Sequence, residues 1–216
     1  FFHREAGMAT LDELERRMTR LEDVRQIQRL QRIYGYYRDY GDWEKVVGLF
    51  SDKAESVEVA DHGVYRGKEG VRRYYLDLIK GGPDAEPRPG VFSTALQMQG
   101  VVTVDDDGKG ASGRWYGFLI EARPTLGLHV GELRQTWGHG IYENRYVKED
   151  GVWKLSKLHF FLNFRTPYED GWLKTPVVGQ TGPSAEVPPD APPTNWHPYP
   201  SGVKLPVHFK HPVTGE

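Results

Sequence analysis

Any chemistry in this chain has to come from carboxylates, imidazoles, phenols and guanidinium groups. None of the 216 residues is a cysteine, which removes thiolate nucleophiles and disulfides together. No His-Glu-x-x-His pair, glycine-rich phosphate loop or Gly-x-Ser-x-Gly elbow occurs, and the eight histidines are scattered. Neither a metal nor another cofactor is expected. What remains is general acid–base work in a dry pocket. His62, in the turn Asp61-His62-Gly63, is one candidate, because an imidazole at a pocket mouth exchanges protons near neutral pH; an ordinary surface-turn histidine is the alternative. Asp39 closes a helical run before Tyr40-Gly41-Asp42, and taken alone it reads as a polar helix end.

The rest of the composition narrows the partners. Twenty-eight basic against thirty acidic residues leave a formal charge of −2. That balance argues against a nucleic-acid or anionic-membrane binder, which needs a basic surface. No apolar run is long enough to span a bilayer and no signal-peptide core is visible, so a cytoplasmic location is expected. Six Trp, twelve Tyr and nine Phe can line a pocket for a flat aromatic or polycyclic ligand, or simply fill a core.

The elements that must position these groups follow from periodicity. Phe1–Gly7 is set aside. Leu11, Leu14, Met18, Leu21, Val24, Ile27 and Leu30 keep helical spacing, with acids at the start. A short second helix is expected over Trp43–Phe50, strands over Ala54–Ala60 and Gly63–Arg66, and a third helix over Lys68–Lys80. The proline-rich loop Gly81–Gly90 leads to four long strands at Phe92–Val104, Ala111–Arg123, Gln135–Glu149 and Val152–Phe164, with Pro124–Gly131 as a rim connection. Asp150-Gly151 marks a tight hairpin turn. Eleven of the fifteen prolines fall in Thr166–Glu216. That stretch is expected to run extended, without helix or sheet. Its Trp172, Trp196, Tyr199 and Phe209 suggest that it docks on the domain or on a neighbouring subunit; a disordered tail is the alternative.

Two segments carry a family resemblance: IQRLQRIYGYYRDYGDWEKVVGLFSDKAESVEV (Ile27–Val59) and GIYENRYVKEDGVWKL (Gly140–Leu155). They resemble the two ends of a SnoaL-like domain of the NTF2-like superfamily. The resemblance implies an α+β fold, a cone-shaped barrel whose curved, mostly antiparallel sheet wraps the lead helices around a deep pocket. It divides the chain into an N-terminal extension helix (1–26), the SnoaL-like domain (27–167) and a proline-rich C-terminal extension (168–216). A broad convex strand face bearing Trp and Phe would otherwise be exposed, so assembly as a homo-oligomer, a dimer or trimer, is expected.

In lyases of this family, such as hexachlorocyclohexane dehydrochlorinase and scytalone dehydratase, the lead helix ends in an acid that faces the cavity. The match puts Asp39 there, and a carboxylate desolvated at a pocket mouth is a competent base or acid. The acid's partner histidine has no counterpart, because the matching stretch reads Gly90-Val91-Phe92-Ser93-Thr94. Strand parity taken from the same match turns Gly138, Gly140, Tyr142, Asn144 and Tyr146 inward, with Leu158, Phe160 and Leu162, then Ser56 and Glu58, and Arg114, Tyr116 and Phe118. A slip of one residue reverses each set. Gly138, Gly140 and Gly117 read first as bends or close packing in a strongly curved sheet, and small inward residues leave room for a bulky ligand.

The reading that follows is a cofactor-independent lyase, of dehydratase or deformylating type, acting on a hydroxylated aromatic or polycyclic compound. Asp39 or Glu58 takes a proton, Tyr142 or His62 returns one, and Arg114 holds the developing charge. Tyr36, Tyr37, Tyr116, Phe118, Asn144, Phe160 and Leu162 line the ligand. An isomerase or cyclase uses the same parts, and a non-catalytic binding or assembly subunit shares the fold. A blocked pocket with Asp39 paired to Arg38 or another basic residue points to the binding subunit; an open cavity with an unpaired carboxylate points to the enzyme.

Overall fold

The computed structural model describes residues 9–80, 91–124, 133–180 and 182–215. The expected overhang Phe1–Gly7, the loop Gly81–Gly90 and nearly all of the rim connection Pro124–Gly131 lie outside the described residues. Helix α1 (Leu11–Asp39) opens on a capping box, with Thr10 Oγ1 accepting from the Glu13 amide and the Glu13 carboxylate accepting from the Thr10 amide. Its buried stripe is Asp23, Ile27, Gln31, Tyr34 and Gly35. The regular apolar spacing at the helix start does not mark the packed face: Leu11, Leu14, Met18 and Leu21 are exposed. Polar side chains hold much of the true face. Asp23 accepts from Lys148 Nζ at 2.7 Å and Trp153 Nε1 at 2.8 Å, which ties the helix to the sheet.

Gly41, at φ +72°, reverses the chain into α2 (Trp43–Gly48). The third helix starts as α3 (Gly67–Arg72) and continues as a π-helical stretch, Arg73–Ile79. Such wide turns are uncommon and frequently border functional sites. Here it buries the neighbouring rings of Tyr74 and Tyr75, 5.0 Å apart and nearly perpendicular.

The six strands are β1 (Ser56–Val59), β2 (Val64–Arg66), β3 (Phe92–Val104), β4 (Gly110–Pro124), β5 (Leu133–Glu149) and β6 (Val152–Pro167). They form one curved sheet in the order β2-β1-β6-β5-β4-β3. Among these strands of the described residues, only β1 and β6 pair in parallel. The sheet is open, since β2 and β3 are its two edges. Asp150 and Gly151 both take positive φ, the geometry of a primed hairpin turn. Register shifts at Met98/Val101, His139/Gly140 and Arg145/Tyr146 supply the bulges that let long strands bend.

Pairing settles which side chains face α1. Tyr142, Asn144 and Tyr146 on β5 and Leu158, Phe160 and Leu162 on β6 are buried on that side. On β4 the parity is the reverse of the expectation. Trp115 pairs with Tyr142 and Gly117 with Gly140, so the odd-numbered residues point inward and Arg114, Tyr116 and Phe118 point outward. The same correction applies to β1. Val57 pairs with Leu158 and Val59 with Phe160, which turns Ser56 and Glu58 to the outer face. The inward glycines are also filled rather than vacant: a Cβ on Gly140 would lie 2.2 Å from Phe160 Cζ, and one on Gly117 2.9 Å from the Phe160 and Tyr142 rings.

After β6 the chain makes a four-residue helical turn, α4 (Gly171–Lys174), and isolated bridges Arg165↔Val177 and Val64↔Ala191. The proline-rich stretch thus contains short regular pieces, because its backbone pairs with strand edges between the prolines. Trp172 stacks on Phe164 and meets Trp137 edge-on, and Trp196 packs against the core. Tyr65 Oη donates to the Val187 carbonyl at 2.7 Å, and Arg73 donates to Asp190 at 2.7 Å.

Candidate functional site

The second half of α1, the π-helical stretch and the inner faces of β1, β4, β5 and β6 enclose a cavity of about 90 Å³. The stripe that begins at Ile27 and Gln31 brings Tyr34 and Arg38 to its wall, each a turn further along the helix. Strand alternation adds Val59, Leu119, Glu121, Tyr142, Phe160 and Leu162; the π-helical stretch adds Tyr74 and Tyr75. His62, from the β1–β2 turn, stands beside Tyr74, with Nδ1 and Oη 3.1 Å apart. Gln180, from the C-terminal segment, closes one side.

The polar groups are organised around two guanidinium ions. Arg38 lies 3.1 Å from Asp39 Oδ1 and 3.7 Å from Glu121 Oε1. Burial works against its charged form, but Tyr142, Tyr34, Glu121 and Asp39 together raise its pKa further. Glu121 is almost fully buried and accepts from Arg165 Nη2, from Ser93 Oγ at 3.2 Å and from Thr136 Oγ1 at 3.5 Å. Burial is the main cause that pushes the phenols of Tyr34, Tyr74, Tyr75 and Tyr142 above their ordinary value of 10.0. They remain neutral donors at any physiological pH. Tyr34 and Tyr75 share a hydrogen bond of 3.1 Å.

Of the residues singled out from sequence, His62, Tyr142, Phe160 and Leu162 meet at this cavity. Asp39 stands behind Arg38 rather than in the wall. Its Oδ2 accepts from Thr94 Oγ1, and its Oδ1 from the Ala95 amide at 3.0 Å and from Arg38. Asn144 points inward but sits deeper in the cone, where its amide donates to Gln31 Oε1 at 3.0 Å. Tyr36 is exposed, and the Tyr37 ring lies under Lys45 Nζ.

The outward-facing residues form other contacts. Glu58 is buried under the C-terminal segment, 3.3 Å from His159 Nε2 and accepting from the Thr194 amide at 2.6 Å. No Asp39–Glu58 pair forms, because the two carboxylates lie on opposite faces of the sheet. Arg114 donates to Glu143 and to the Pro206 carbonyl, both at 2.8 Å. Tyr116 packs on His139 and Phe118 on Trp137. Among the described residues no cluster of potential metal ligands occurs, and no helix is long and apolar enough to cross a membrane.

Sequence reading missed Tyr34, Tyr74, Tyr75, Glu121, Arg165 and Gln180, and named Arg38 only as a partner for Asp39. Two of these had a signal: continuing the spacing Ile27, Gln31 by three and four residues reaches Tyr34 and Arg38. Glu121 required the β4–β5 register, and Tyr74 with Tyr75 required the π-helical turn.

Comparison with known proteins agrees with this architecture. No curated protein matches the sequence. Among solved structures, a scytalone dehydratase-like protein from Novosphingobium aromaticivorans DSM 12444 superposes with a TM-score of 0.55 at 18% identity, covering 76% of this chain and 97% of its own. An NTF2-like protein with a cystatin-like fold from N. aromaticivorans gives 0.53 at 18% identity, covering 72% and 92%. Hexachlorocyclohexane dehydrochlorinase LinA-type3 from Novosphingobium barchaimii LL02 gives 0.55 at 19%, covering 69% and 92%. At such identities the likeness establishes the NTF2-like fold. The family model for the SnoaL-like domain matches residues 19–159, from the middle of α1 into β6, and the chain therefore belongs to the SnoaL-like domain family.

Proposed function

We propose that this protein is a cofactor-independent lyase of dehydratase type, removing water from a small hydroxylated aromatic compound in the cavity between α1 and the sheet. The observation that carries this reading is the contact of His62 Nδ1 with Tyr74 Oη at 3.1 Å, beside the buried charge of Arg38 and the neutral phenols of Tyr34 and Tyr142. An imidazole can take and return a proton near neutral pH. Phenols that stay protonated, next to a fixed guanidinium, stabilise an oxyanion as it develops.

In the reaction, His62 takes a proton from the carbon next to a substrate carbonyl, and the C–H electron pair moves onto the carbonyl oxygen as an enolate. Tyr142 and Arg38 stabilise that oxygen. The enolate collapses and expels the hydroxyl on the neighbouring carbon, which departs as water with the proton held by His62. Asp39 orients Arg38 in this scheme, while Glu58 and Arg114 anchor the C-terminal segment. Dehydratase- and dehydrochlorinase-type neighbours on the same fold support elimination over the other chemistries open to such a site. Incubating purified protein with hydroxylated aromatic compounds and reading water loss by mass spectrometry, with His62→Gln alongside, tests it: turnover should vanish in the variant.

A second reading, a ligand-binding or assembly subunit without chemistry, is favoured by the Asp39–Arg38 ion pair and by the Phe160 and Tyr142 rings that occupy the space over Gly117 and Gly140. Binding without turnover of any compound would select it.

A further inference from the structure

Two of the buried polar side-chain atoms that find no partner among the described residues belong to the cavity wall. They are Arg165 Nε, a donor, and Gln180 Oε1, an acceptor. Buried polar atoms are paired in the great majority of cases, so two orphans at one cavity call for a ligand that serves both. The charges of the wall limit what that ligand can be. Arg38 and Arg165 are matched by Asp39 and Glu121, and Asp61 lies 3.9 Å from His62. A carboxylate or phosphate brought beside Glu121 would add an uncompensated buried charge.

The geometry points to a reader for a neutral hydroxyl, formed by Arg165 on β6 and Gln180 on the C-terminal segment. The substrate it selects is an uncharged, single-ring hydroxylated compound. One hydroxyl can accept from Arg165 Nε and donate to Gln180 Oε1 at once, and it serves the amide equally if the amide turns. A cavity of about 90 Å³ fits one ring better than several fused rings. The C-terminal segment, outside the family-matched residues 19–159, thus contributes a specificity-determining side chain. This inference rests on the cavity being the site proposed above, but not on its catalysing a reaction.

The test is a binding measurement on the full chain by ligand-observed NMR, with phenol, toluene and benzoate as probes, for the wild type and Gln180→Leu. Phenol should bind the wild type about three- to tenfold more tightly than toluene, and benzoate should bind more weakly than phenol. The variant should lose the preference for phenol while holding toluene as well as before, which also reports that its cavity is intact. Equal phenol-over-toluene preference in both proteins, tighter binding of benzoate than of phenol, or no binding of any probe would overturn the inference. Failure of the catalytic reading looks different: the phenol preference and its loss in the variant would persist with no compound turned over.

Discussion

Thr94 Oγ1 donates a hydrogen bond of 2.5 Å to Asp39 Oδ2, so the carboxylate at the end of α1 is tied to β3 within the stretch where the family resemblance calls for a histidine. With the Ala95 amide and Arg38 on Oδ1, both carboxylate oxygens are occupied. Asp39 then acts as a clamp that fixes helix, strand and Arg38 together. Thr94→Val should cost about 1–2 kcal/mol and Asp39→Asn about 2–3 kcal/mol, as measured by urea unfolding. Because the two share one contact, the double variant should fall short of the sum; full additivity would mean that the clamp carries no energy.

Gly140, packed behind the Phe160 ring of the cavity wall, tolerates no side chain. A methyl group there would meet Phe160 Cζ at 2.2 Å and the Phe161 carbonyl at 2.5 Å. Gly140→Ala should destabilise the fold by about 2–3 kcal/mol through overpacking and push the Phe160 ring into the cavity. Thermal unfolding checks the first effect, and weakened ligand binding in the surviving folded fraction checks the second.

Glu58 joins the sheet to the C-terminal segment through Thr194, with His159 of the neighbouring strand β6 on its other side. Burial alone would raise its pKa, but the hydrogen bonds from His159 and Thr194 bring it below the ordinary 4.5. A carboxylate depressed in the folded state contributes its full stability above the ordinary value and loses it as pH falls through the depressed one. Mild acid, below pH 4.5, should therefore loosen the segment around Thr194. Limited proteolysis across this pH range should show earlier cleavage there as the pH drops. In Glu58→Gln, cleavage should be high throughout and nearly independent of pH.

Deeper in the cone, Gln31 has no solvent exposure and links three elements. It donates to Gln97 at 2.7 Å and accepts from Tyr146 Oη at 2.6 Å and Asn144 at 3.0 Å. Gln31→Leu would strand these partners in a dry interior and should cost about 2–4 kcal/mol. A midpoint shift in thermal unfolding, without change in ligand preference, is the expected outcome.

Much of the fold is legible in the sequence. Asp150-Gly151 marked its hairpin, the long strands announced themselves by β-rich composition, and the inward sets on β5 and β6 followed from the family match. Parity on β1 and β4 was not legible, because it is inherited from partners: Val59 from Phe160, Trp115 from Tyr142. The cavity was harder still. Its charged wall uses Arg38, Glu121 and Arg165, residue types that composition assigns to the surface, and these are buried only because they neutralise one another. Likewise, the apolar series marks the packed face at Ile27, with Val24 and Leu30 beside it, but not from Leu11 to Leu21, and α1 also packs through Asp23, Gln31 and Tyr34. Gln180 reaches the cavity through a segment with no periodic pattern at all.

The most direct test compares His62→Gln with Asp39→Asn on one substrate found by the water-loss screen. If His62 carries the proton, its replacement should lower kcat by about 100-fold or more, while folded Asp39→Asn, whose amide oxygen can still accept from Arg38, should keep most of its turnover. The reverse order, with Asp39→Asn inactive and His62→Gln active, would contradict the assignment and return the base to the helix-end carboxylate.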